Sequence, residues 1–303
     1  MTLPRFPDLP ALLVSPECAV ALEAIAARFV SPAGILIECP LTAAEPAADL
    51  SLSFTRPSSP SAAGRLSAGW PAGAAWDGTR RFVEAWPDPA FAGVRSLWLE
   101  FDARRREAAL LPNPFFGHND GLPSRATIHA GLDRLLEPDA PARRQASACL
   151  EALPADARVV FAGVMLARRP AAIRFCVDGP PWFDAPFDPM RLARHVIVQI
   201  EAGIPHTERV GYELYQGRRS RGRADVWRAM LERLLDAGVA RADRCAAALD
   251  WPGYAAAGPH VVARWINHVK VTCEGGAIVE AKIYLQFAAA WEPAPSDARG
   301  LRG

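Results

Sequence analysis

Lysine is almost absent from this chain. The 303 residues contain only two lysines, Lys270 and Lys282, and arginine supplies the other 32 of the 34 basic residues. Because lysine carries a compact ammonium group where arginine carries a planar guanidinium, two lysines on one sheet face are candidates for a contact that needs the smaller cation. A solvated outer sheet face that holds both lysines by chance is the alternative interpretation.

The motifs of common enzyme classes are also missing. The chain has no glycine-rich nucleotide loop and no Walker sequence, no Gly-x-Ser-x-Gly segment, and no cysteine and histidine spacing typical of structural zinc. Its six cysteines are scattered without a Cys-x-x-Cys pair, which is typical of small buried residues in a reducing compartment. The sequence therefore predicts a protein without a cofactor.

Charge and hydrophobic patterning argue against two classes of partner. A formal net charge of +1 is too small for general nucleic-acid binding, which depends on neutralising phosphates. No apolar run approaches the length of a membrane span, and the first residues lack the basic and apolar regions of a signal peptide. We therefore expect a cytoplasmic protein with no nucleic-acid and no membrane partner.

Helical and strand patterns alternate along the chain. They predict an α+β fold, with antiparallel or mixed sheets and helices packed on one face. A proline-rich boundary at 138–141 separates an N-terminal α+β half, residues 1–137, from a C-terminal half, residues 138–292, and residues 293–303 are predicted to be a disordered tail. The two halves share an order of elements, which indicates either a divergent internal duplication or a coincidence.

Three segments of this prediction are used again below. Residues 57–73, rich in proline, serine, alanine and glycine, are predicted to form a surface loop. Residues 112–123 are predicted to be an irregular loop. A helix is predicted from Met190 to about Glu201.

The C-terminal half ends in a predicted β-hairpin over residues 267–287. Two alternating runs meet at Glu274-Gly275-Gly276, a sequence signal for a hairpin turn. A three-residue loop would place Lys270 opposite Glu280, a favourable pair of charges, whereas another loop length would place Lys270 opposite Lys282. The sequence therefore favours the pairing of Lys270 with Glu280.

Charged and aromatic side chains share the polar faces of the predicted strands. Side chains of this kind on an open sheet face fit a bound peptide, whose side chains would stack on the rings and whose ends would pair with the charges. Ordinary amphipathic strands with an aromatic outer face are the alternative. The candidate peptide-binding residues, which include two arginines of an adjacent loop, are Trp98, Glu100, Asp102, Glu213, Tyr215, Arg218, Arg219, His268, Lys270, Lys282 and Tyr284.

One metal-site alternative remains open. His118 and Asp120 form a His-x-Asp pattern, and His206 lies far downstream. Two histidines and one carboxylate in this order fit a non-haem Fe(II) oxygenase, in which Arg218 would bind a 2-oxo acid. An ordinary turn through His118-Asn119-Asp120 is the favoured interpretation, because asparagine and aspartate are common turn residues. The sequence therefore predicts no metal ligand.

Five short segments carry a resemblance that covers most of the chain. They are Leu97-Trp-Leu-Glu-Phe-Asp102, Gly211-Tyr-Glu213, Trp251-Pro-Gly253, Asn267-His-Val-Lys270 and Ala281-Lys-Ile-Tyr-Leu285. In this order they resemble the peptide-binding proteins of crocagin-type biosynthesis, which belong to gene clusters for ribosomally made, modified peptides. No catalytic motif comes with this resemblance.

The resemblance implies a protein that holds a ribosomal precursor peptide, by its leader or its core, while the core is shaped into a pyrroloindoline-type scaffold. Other biosynthetic enzymes of the same cluster would then be further partners. Strand addition at a sheet edge is the expected mode of binding, with His268, Lys270 and Lys282 at acidic or carbonyl groups of the peptide. A cofactor-free peptide cyclase that uses Glu100, Asp102 or Glu213 also remains open, so the sequence leaves enzyme and binding protein unresolved.

Overall fold

The structure is a computed structural model that describes most of the chain. The described residues are 6, 8–30, 32–104, 110–117, 123–137, 140–168, 171–178, 187–205, 208–217, 224–257, 260–288 and 292–293. They contain twelve strands, eight α-helices and a 3-10 helix at Pro89–Phe91.

The helices among these residues are α1 (Pro16–Ala26), α2 (Pro60–Ser67), α3 (Ala74–Ala85), α4 (Arg125–Leu135), α5 (Pro141–Ala152), α6 (Pro189–Leu192), α7 (Asp225–Asp236) and α8 (Ala242–Asp250). The strands are β1 (Gly34–Pro40), β2 (Asp49–Thr55), β3 (Ser96–Phe101), β4 (Pro112–Gly117), β5 (Arg158–Met165), β6 (Ala172–Asp178), β7 (His195–Glu201), β8 (Arg209–Tyr215), β9 (Gly253–Ala257), β10 (His260–Glu274), β11 (Ala277–Ala288) and β12 (Glu292–Pro293).

Ten of the strands close into a single antiparallel barrel. Strands β1 to β8 follow one another around it, β10 pairs with β8, and β11 pairs with both β10 and β1. The short strands β9 and β12 pair with the first residues of β10, outside the ring of ten. The prediction of an α+β protein with antiparallel or mixed sheets and helices on one face was therefore wrong, since the sheet has no free edge within the ring.

The alternation of each strand separates the barrel wall into two faces. On β3 the side chains of Leu97, Leu99 and Phe101 are fully buried and belong to the large hydrophobic core that also contains the apolar faces of the helices. The intervening Trp98 and Glu100 are less buried and face the other way. Because helices cover the apolar face, the polar face of the sheet becomes the inner surface of the barrel.

Three local predictions were also wrong. Residues 60–67 form α2, capped by Ser59, whose Oγ accepts a hydrogen bond from the amide of Ala62 at 3.2 Å. Residues 112–117 form β4, and only the turn of α6 precedes β7 where a long helix was predicted. Val196, Val198 and Ile200 are the buried outer residues of β7, and valine and isoleucine at alternate positions favour a strand.

The hairpin has a different register from the predicted one. The pairs are Glu274 with Ala277, Thr272 with Glu280, and Lys270 with Lys282. Gly275 and Gly276 form a two-residue turn, both with positive φ (54° and 79°), and a bulge near Cys273 restores the match between the faces. Lys270 was expected not to pair with Lys282 because only the two strands of the hairpin were considered. A carboxylate from β1 lies beside the two lysines and offsets their repulsion.

The predicted halves contribute to one barrel, since β4 pairs with β5 and β1 pairs with β11. An internal duplication stays a prediction. The predicted tail lies outside the described residues except for Pro293, which belongs to β12. Within the described part of the chain, every helix is too short or too polar to cross a membrane.

Two glycines test how tightly the helices pack on the barrel. A Cβ atom added to Gly131 of α4 would lie less than 3.0 Å from the ring of Phe116 on β4, whereas a Cβ atom at exposed Gly64 of α2 would meet nothing within 4 Å. We expect Gly131→Ala to lower the free energy of unfolding by about 1–3 kcal/mol through overpacking. Gly64→Ala is the matched control and should raise it by about 0.5–1 kcal/mol, because alanine favours the helix.

Urea denaturation of both variants measures these changes. Equal stabilisation by the two substitutions would contradict the packing of α4 against β4.

Candidate functional site

The barrel encloses two adjacent chambers. The charged chamber has a volume of about 350 Å³, and the aromatic chamber has a volume of about 430 Å³. Glu100 of β3 and Gln199 of β7 line both. Volumes of this size are typical of small-ligand sites, and the shared residues show that the two chambers are adjacent.

The charged chamber carries as many carboxyl groups as cationic groups. Six cationic side chains line it, and so do six carboxyl side chains. The cations are Arg104, Arg168, Arg174, Arg209, Lys270 and Lys282; the carboxyl groups are Glu38, Asp49, Glu100, Asp102, Glu201 and Glu280.

Most of these cations are already paired with carboxylates. The Nε of Arg104 donates to Asp49 Oδ2 at 2.7 Å, and Arg168 and Arg174 both reach Glu201, at 3.3 and 3.2 Å. Arg209 pairs with Glu274 on the neighbouring strand. These arginines are therefore already bound to carboxylates of the protein, and a ligand would have to compete for them.

Glu38 on β1 lines the charged chamber and contacts one residue of each chamber. It accepts a hydrogen bond from Lys282 Nζ at 2.7 Å on one side and from the hydroxyl of Tyr284 on the other. Burial alone would raise the pKa of Glu38, but the charges of Lys282 and Lys270 together with these hydrogen bonds hold it well below the ordinary value. Glu38 is therefore a fixed negative charge between the chambers.

Lys270 is the exception among the cations. It is 7% exposed, it donates to Gln199 Oε1, and among the described residues it makes no ion pair within 4.0 Å. Burial, followed by the charge of Arg174, lowers its pKa. Lys270 is therefore the cationic group of the lumen that a ligand can contact without displacing a carboxylate.

Glu213 and Tyr215 on β8 continue the network into the aromatic chamber. Gln199 Nε2 donates to Glu213 Oε1 at 3.3 Å, and the hydroxyl of Tyr215 donates to Glu213 Oε2 at 2.8 Å. Burial raises the pKa of Glu213 although Lys270 opposes the shift. We call the set of Glu38, Glu100, Gln199, Glu213 and Lys270 the polar partition, because it separates the charged chamber from the aromatic one.

Aromatic rings dominate the second chamber. His268 lies between two tyrosines, with ring centroids 3.9 Å from Tyr284 and 4.7 Å from Tyr215. Trp98, Phe115, Phe161 and Trp265 are further lining residues. Flat apolar walls with a few polar groups are typical of a site that binds a ring.

Glu100 lies where the chambers meet. Burial and then the negative charge of Glu38 raise its pKa to about 8, against the opposing charges of Lys270 and Arg174. A carboxyl group with a pKa near neutrality can both donate and accept a proton, which is the property of a general acid or base.

The structure brings nine of the eleven candidate residues from the sequence into the lumen. Trp98, Glu100, Glu213, Tyr215, His268 and Tyr284 line the aromatic chamber, and Asp102, Lys270 and Lys282 join Glu100 in the charged one. Their surroundings differ from the prediction, because the predicted open sheet face is the inside of a closed barrel. Arg218 and Arg219 lie outside the described residues.

The ligands of the metal alternative, His118, Asp120 and His206, also lie outside the described residues. Within the described ranges, no group of three or more histidine, cysteine, aspartate or glutamate side chains could hold a metal ion.

Several residues of the lumen were not predicted from the sequence. Arg174 alternates with Ile173 and Phe175 on β6, so its inward orientation was readable from the pattern. Gln199 was hidden by the wrong helix prediction. Glu38 stands alone in the apolar run of β1, and a single carboxylate between buried residues is itself a signal, because buried charges require partners.

No family model and no curated protein sequence matches the chain. Among solved structures, a crystal structure of PriB in a binary complex with product diphosphate is similar over 93% of this chain and 94% of that chain, with 14% sequence identity and a TM-score of 0.51. A crystal structure of AnaPT from Neosartorya fischeri is similar over 87% of this chain and 79% of that chain, with 10% identity and a TM-score of 0.42.

PriB is a barrel of the prenyltransferase type. At 14% identity the likeness to PriB shows the fold of this chain and not its activity.

The raised pKa of Glu100 predicts a pH-dependent cost to stability. Between its ordinary value of 4.5 and about 8, the folded protein keeps this proton while the unfolded chain releases it, so the contribution of Glu100 to stability falls as the pH rises. Glu100→Gln stays neutral, and its free energy of unfolding should therefore increase relative to wild type by on the order of 1–4 kcal/mol across this range.

Urea denaturation at several pH values measures the difference between the two proteins. Glu151→Gln, at an exposed position of α5, is the control for the substitution itself. If the curves of wild type and Glu100→Gln stay parallel over the whole range, the carboxyl group of Glu100 is not protonated in the folded protein.

Proposed function

We propose that this barrel of the prenyltransferase type binds a segment of a ribosomal precursor peptide in its lumen during natural-product biosynthesis. An aromatic side chain of the peptide would occupy the aromatic chamber, and its charged groups would occupy the charged chamber. The observation that carries the proposal is the near balance of cationic and carboxyl groups in the charged chamber, next to a chamber lined by aromatic rings.

The balance favours a ligand that carries both signs of charge. Six cations face six carboxyl groups in the charged chamber, and the arginines are occupied by carboxylates. A purely anionic ligand would have to compete with these carboxylates and would gain little net attraction. A peptide segment with acidic, basic and amide groups can match such a surface without breaking its pairs.

The unpaired groups of the polar partition suit the backbone of a peptide. Lys270 can donate to a carbonyl or carboxylate oxygen, and Glu100, when protonated, can donate as well. Lys282 is committed to Glu38 and Glu280, at 2.7 and 3.4 Å. Of the two lysines, Lys270 is therefore the one that we expect to contact the ligand.

The resemblance to the peptide-binding proteins of crocagin-type biosynthesis supports the same function. Its segments at 97–102, 211–213, 267–270 and 281–285 lie on β3, β8, β10 and β11, and these strands carry most of the candidate residues of the lumen. Because the lumen is enclosed, the peptide would enter the barrel, and strand addition at an open edge is not required.

Removal of the Lys270 ammonium group tests the proposal. We expect Lys270→Met to weaken peptide binding by roughly tenfold to a hundredfold, since a hydrogen bond from a charged donor contributes about 1.5–3 kcal/mol. The probes for calorimetry are the capped tripeptides acetyl-Glu-Trp-Arg-amide and acetyl-Glu-Tyr-Arg-amide. Arg228→Met, at an exposed position of α7, removes a cation outside the lumen and should leave the affinity unchanged.

Two outcomes would reject the proposal. One is that neither of the two probes binds to the wild-type protein. The other is an equal loss of affinity in the Lys270→Met and Arg228→Met variants, which would place the peptide on the outer surface. Thermal unfolding of each variant confirms that it is folded before its affinity is compared.

A second candidate function is binding of a diphosphate substrate, as in a prenyl transfer. The observation in its favour is the similarity, over 93% of this chain, to a structure of PriB that contains product diphosphate. Inorganic diphosphate is the probe that separates the candidates. Binding that is tight, and that Lys270→Met abolishes, would favour the second candidate, whereas the balanced charges of the chamber lead us to expect weak binding or none.

The cyclase alternative concerns the same lumen. If the bound peptide is converted, Glu100 is the carboxyl group whose pKa is suited to proton transfer at neutral pH. Mass spectrometry of the peptide after incubation with wild type and with Glu100→Gln distinguishes a cyclase from a binding protein, since the variant would retain binding and lose conversion.

A further inference from the structure

A chain of side-chain hydrogen bonds in the aromatic chamber has a direction that can be assigned from chemistry. Trp265 Nε1 lies 3.1 Å from Gln286 Oε1, and an indole nitrogen can only donate. Gln286 must therefore present its oxygen at this position. The same oxygen contacts the side-chain amide of Asn267, which must then present its Nδ2 as a second donor.

This direction fixes the tautomer of His268. With its Nδ2 turned towards Gln286, Asn267 presents its oxygen to the imidazole, and Oδ1 lies 2.6 Å from His268 Nδ1. An amide oxygen can only accept, so Nδ1 carries the proton. The other ring nitrogen, Nε2, then holds a bare lone pair.

That lone pair has no partner in the part of the chain that the structure describes. Nε2 of His268 is buried and forms no hydrogen bond with any of the described residues, and the residue as a whole is 4% exposed. A buried acceptor without a partner costs free energy, so such groups are rare and call for an explanation. Burial and the positive charge of Lys270 lower the pKa of His268 to about 3, in agreement with a neutral ring.

The local backbone supports this arrangement. Strand β10 carries a bulge between Ile266 and His268, where Asn267 is the additional residue. Bulges of this kind redirect side chains next to functional sites, and here the bulge lets Asn267 reach Gln286 and His268 at once. The imidazole lies between the stacked ring of Tyr284 and the tilted ring of Tyr215.

We propose that Nε2 of His268 accepts a hydrogen bond from the ring edge of an aromatic side chain of the bound peptide. The chemistry that fits is a flat apolar ring with one donor at its rim, such as the N–H of an indole or the O–H of a phenol. This inference rests on the proposed function, since it names the part of the peptide that the aromatic chamber selects. Trp265, Gln286 and Asn267 are positioning residues, because they act through the tautomer of His268.

Methylated probes test the hydrogen bond directly. Acetyl-tryptophanamide is compared with its 1-methyl derivative, and acetyl-tyrosinamide with its O-methyl derivative, by calorimetry with wild type and with His268→Phe. Methylation of the recognised ring should weaken binding to wild type by roughly tenfold or more. In His268→Phe the methylated and unmethylated forms should bind about equally.

The outcomes separate this inference from the proposed function. If methylation has no effect on either probe, or has the same effect in wild type and His268→Phe, His268 does not accept the hydrogen bond although the lumen binds aromatic groups. If neither probe and no peptide binds, both proposals are overturned. The pair of probes that responds to methylation identifies the ring as an indole or a phenol.

A second measurement needs no ligand and no substitution at His268. Long-range ¹H–¹⁵N correlation spectra of the free protein should show Nδ1 of His268 protonated and Nε2 unprotonated, with no titration down to about pH 5. Gln286→Met removes the acceptor that orients Asn267 and should produce a mixture of both tautomers. A proton on Nε2 in the wild-type protein would overturn the inference.

Discussion

Closure of the sheet is the constraint on which the rest of this molecule depends. Strand β11 pairs with β1 on one side and with β10 on the other, so the first and last parts of the chain complete one ring. An open sheet of the same strands would leave its polar face in bulk water, where exposed charges interact weakly. Inside the closed barrel the same side chains are shielded from water, and their interactions become strong enough to shift several pKa values.

The polar partition depends directly on this closure. Glu38 comes from β1 and the lysine that neutralises it comes from β11, so their pair spans the seam that closes the ring. Lys270 and Lys282 can pair across β10 and β11 because other charged groups lie close to both of them. Carboxyl groups from three further strands, at Glu38, Glu100 and Glu213, share the space around the two ammonium groups.

The strand faces and much of the site could be predicted from the sequence, but closure could not. Alternation on β3 and β8 identifies Trp98, Glu100, Glu213 and Tyr215 as one side of a sheet, and the structure places all four in the lumen. The same alternation describes an open sheet under helices and a barrel inside them, because both have one apolar and one polar face. An open sheet and a barrel therefore differ in the pairing between distant strands, which a period of two does not encode.

The errors in register and in β7 have related causes. A hairpin considered alone favours opposite charges across the pair, yet neighbours from other strands decide the balance for Lys270. For β7, the residues from 190 to 201 combine helix-forming Met190 and Leu192 with a Val-Ile-Val-Gln-Ile run, and the packing of that run in the barrel wall outweighs local propensity. Positions such as Arg174 were readable, since the apolar neighbours on either side show which face it occupies.

The short strands β9 and β12 make the two mouths of the barrel unequal. They pair with residues 260–264 of β10, next to the residues 265–268 that line the aromatic chamber, whereas the charged chamber is lined from Lys270 and Thr272 onward. One end of the barrel therefore carries two additional short strands, β9 and β12, and the hairpin turn lies at the other end. A linear ligand that lay along the lumen would meet aromatic rings towards one end and charged groups towards the other, so its two orientations would not be equivalent.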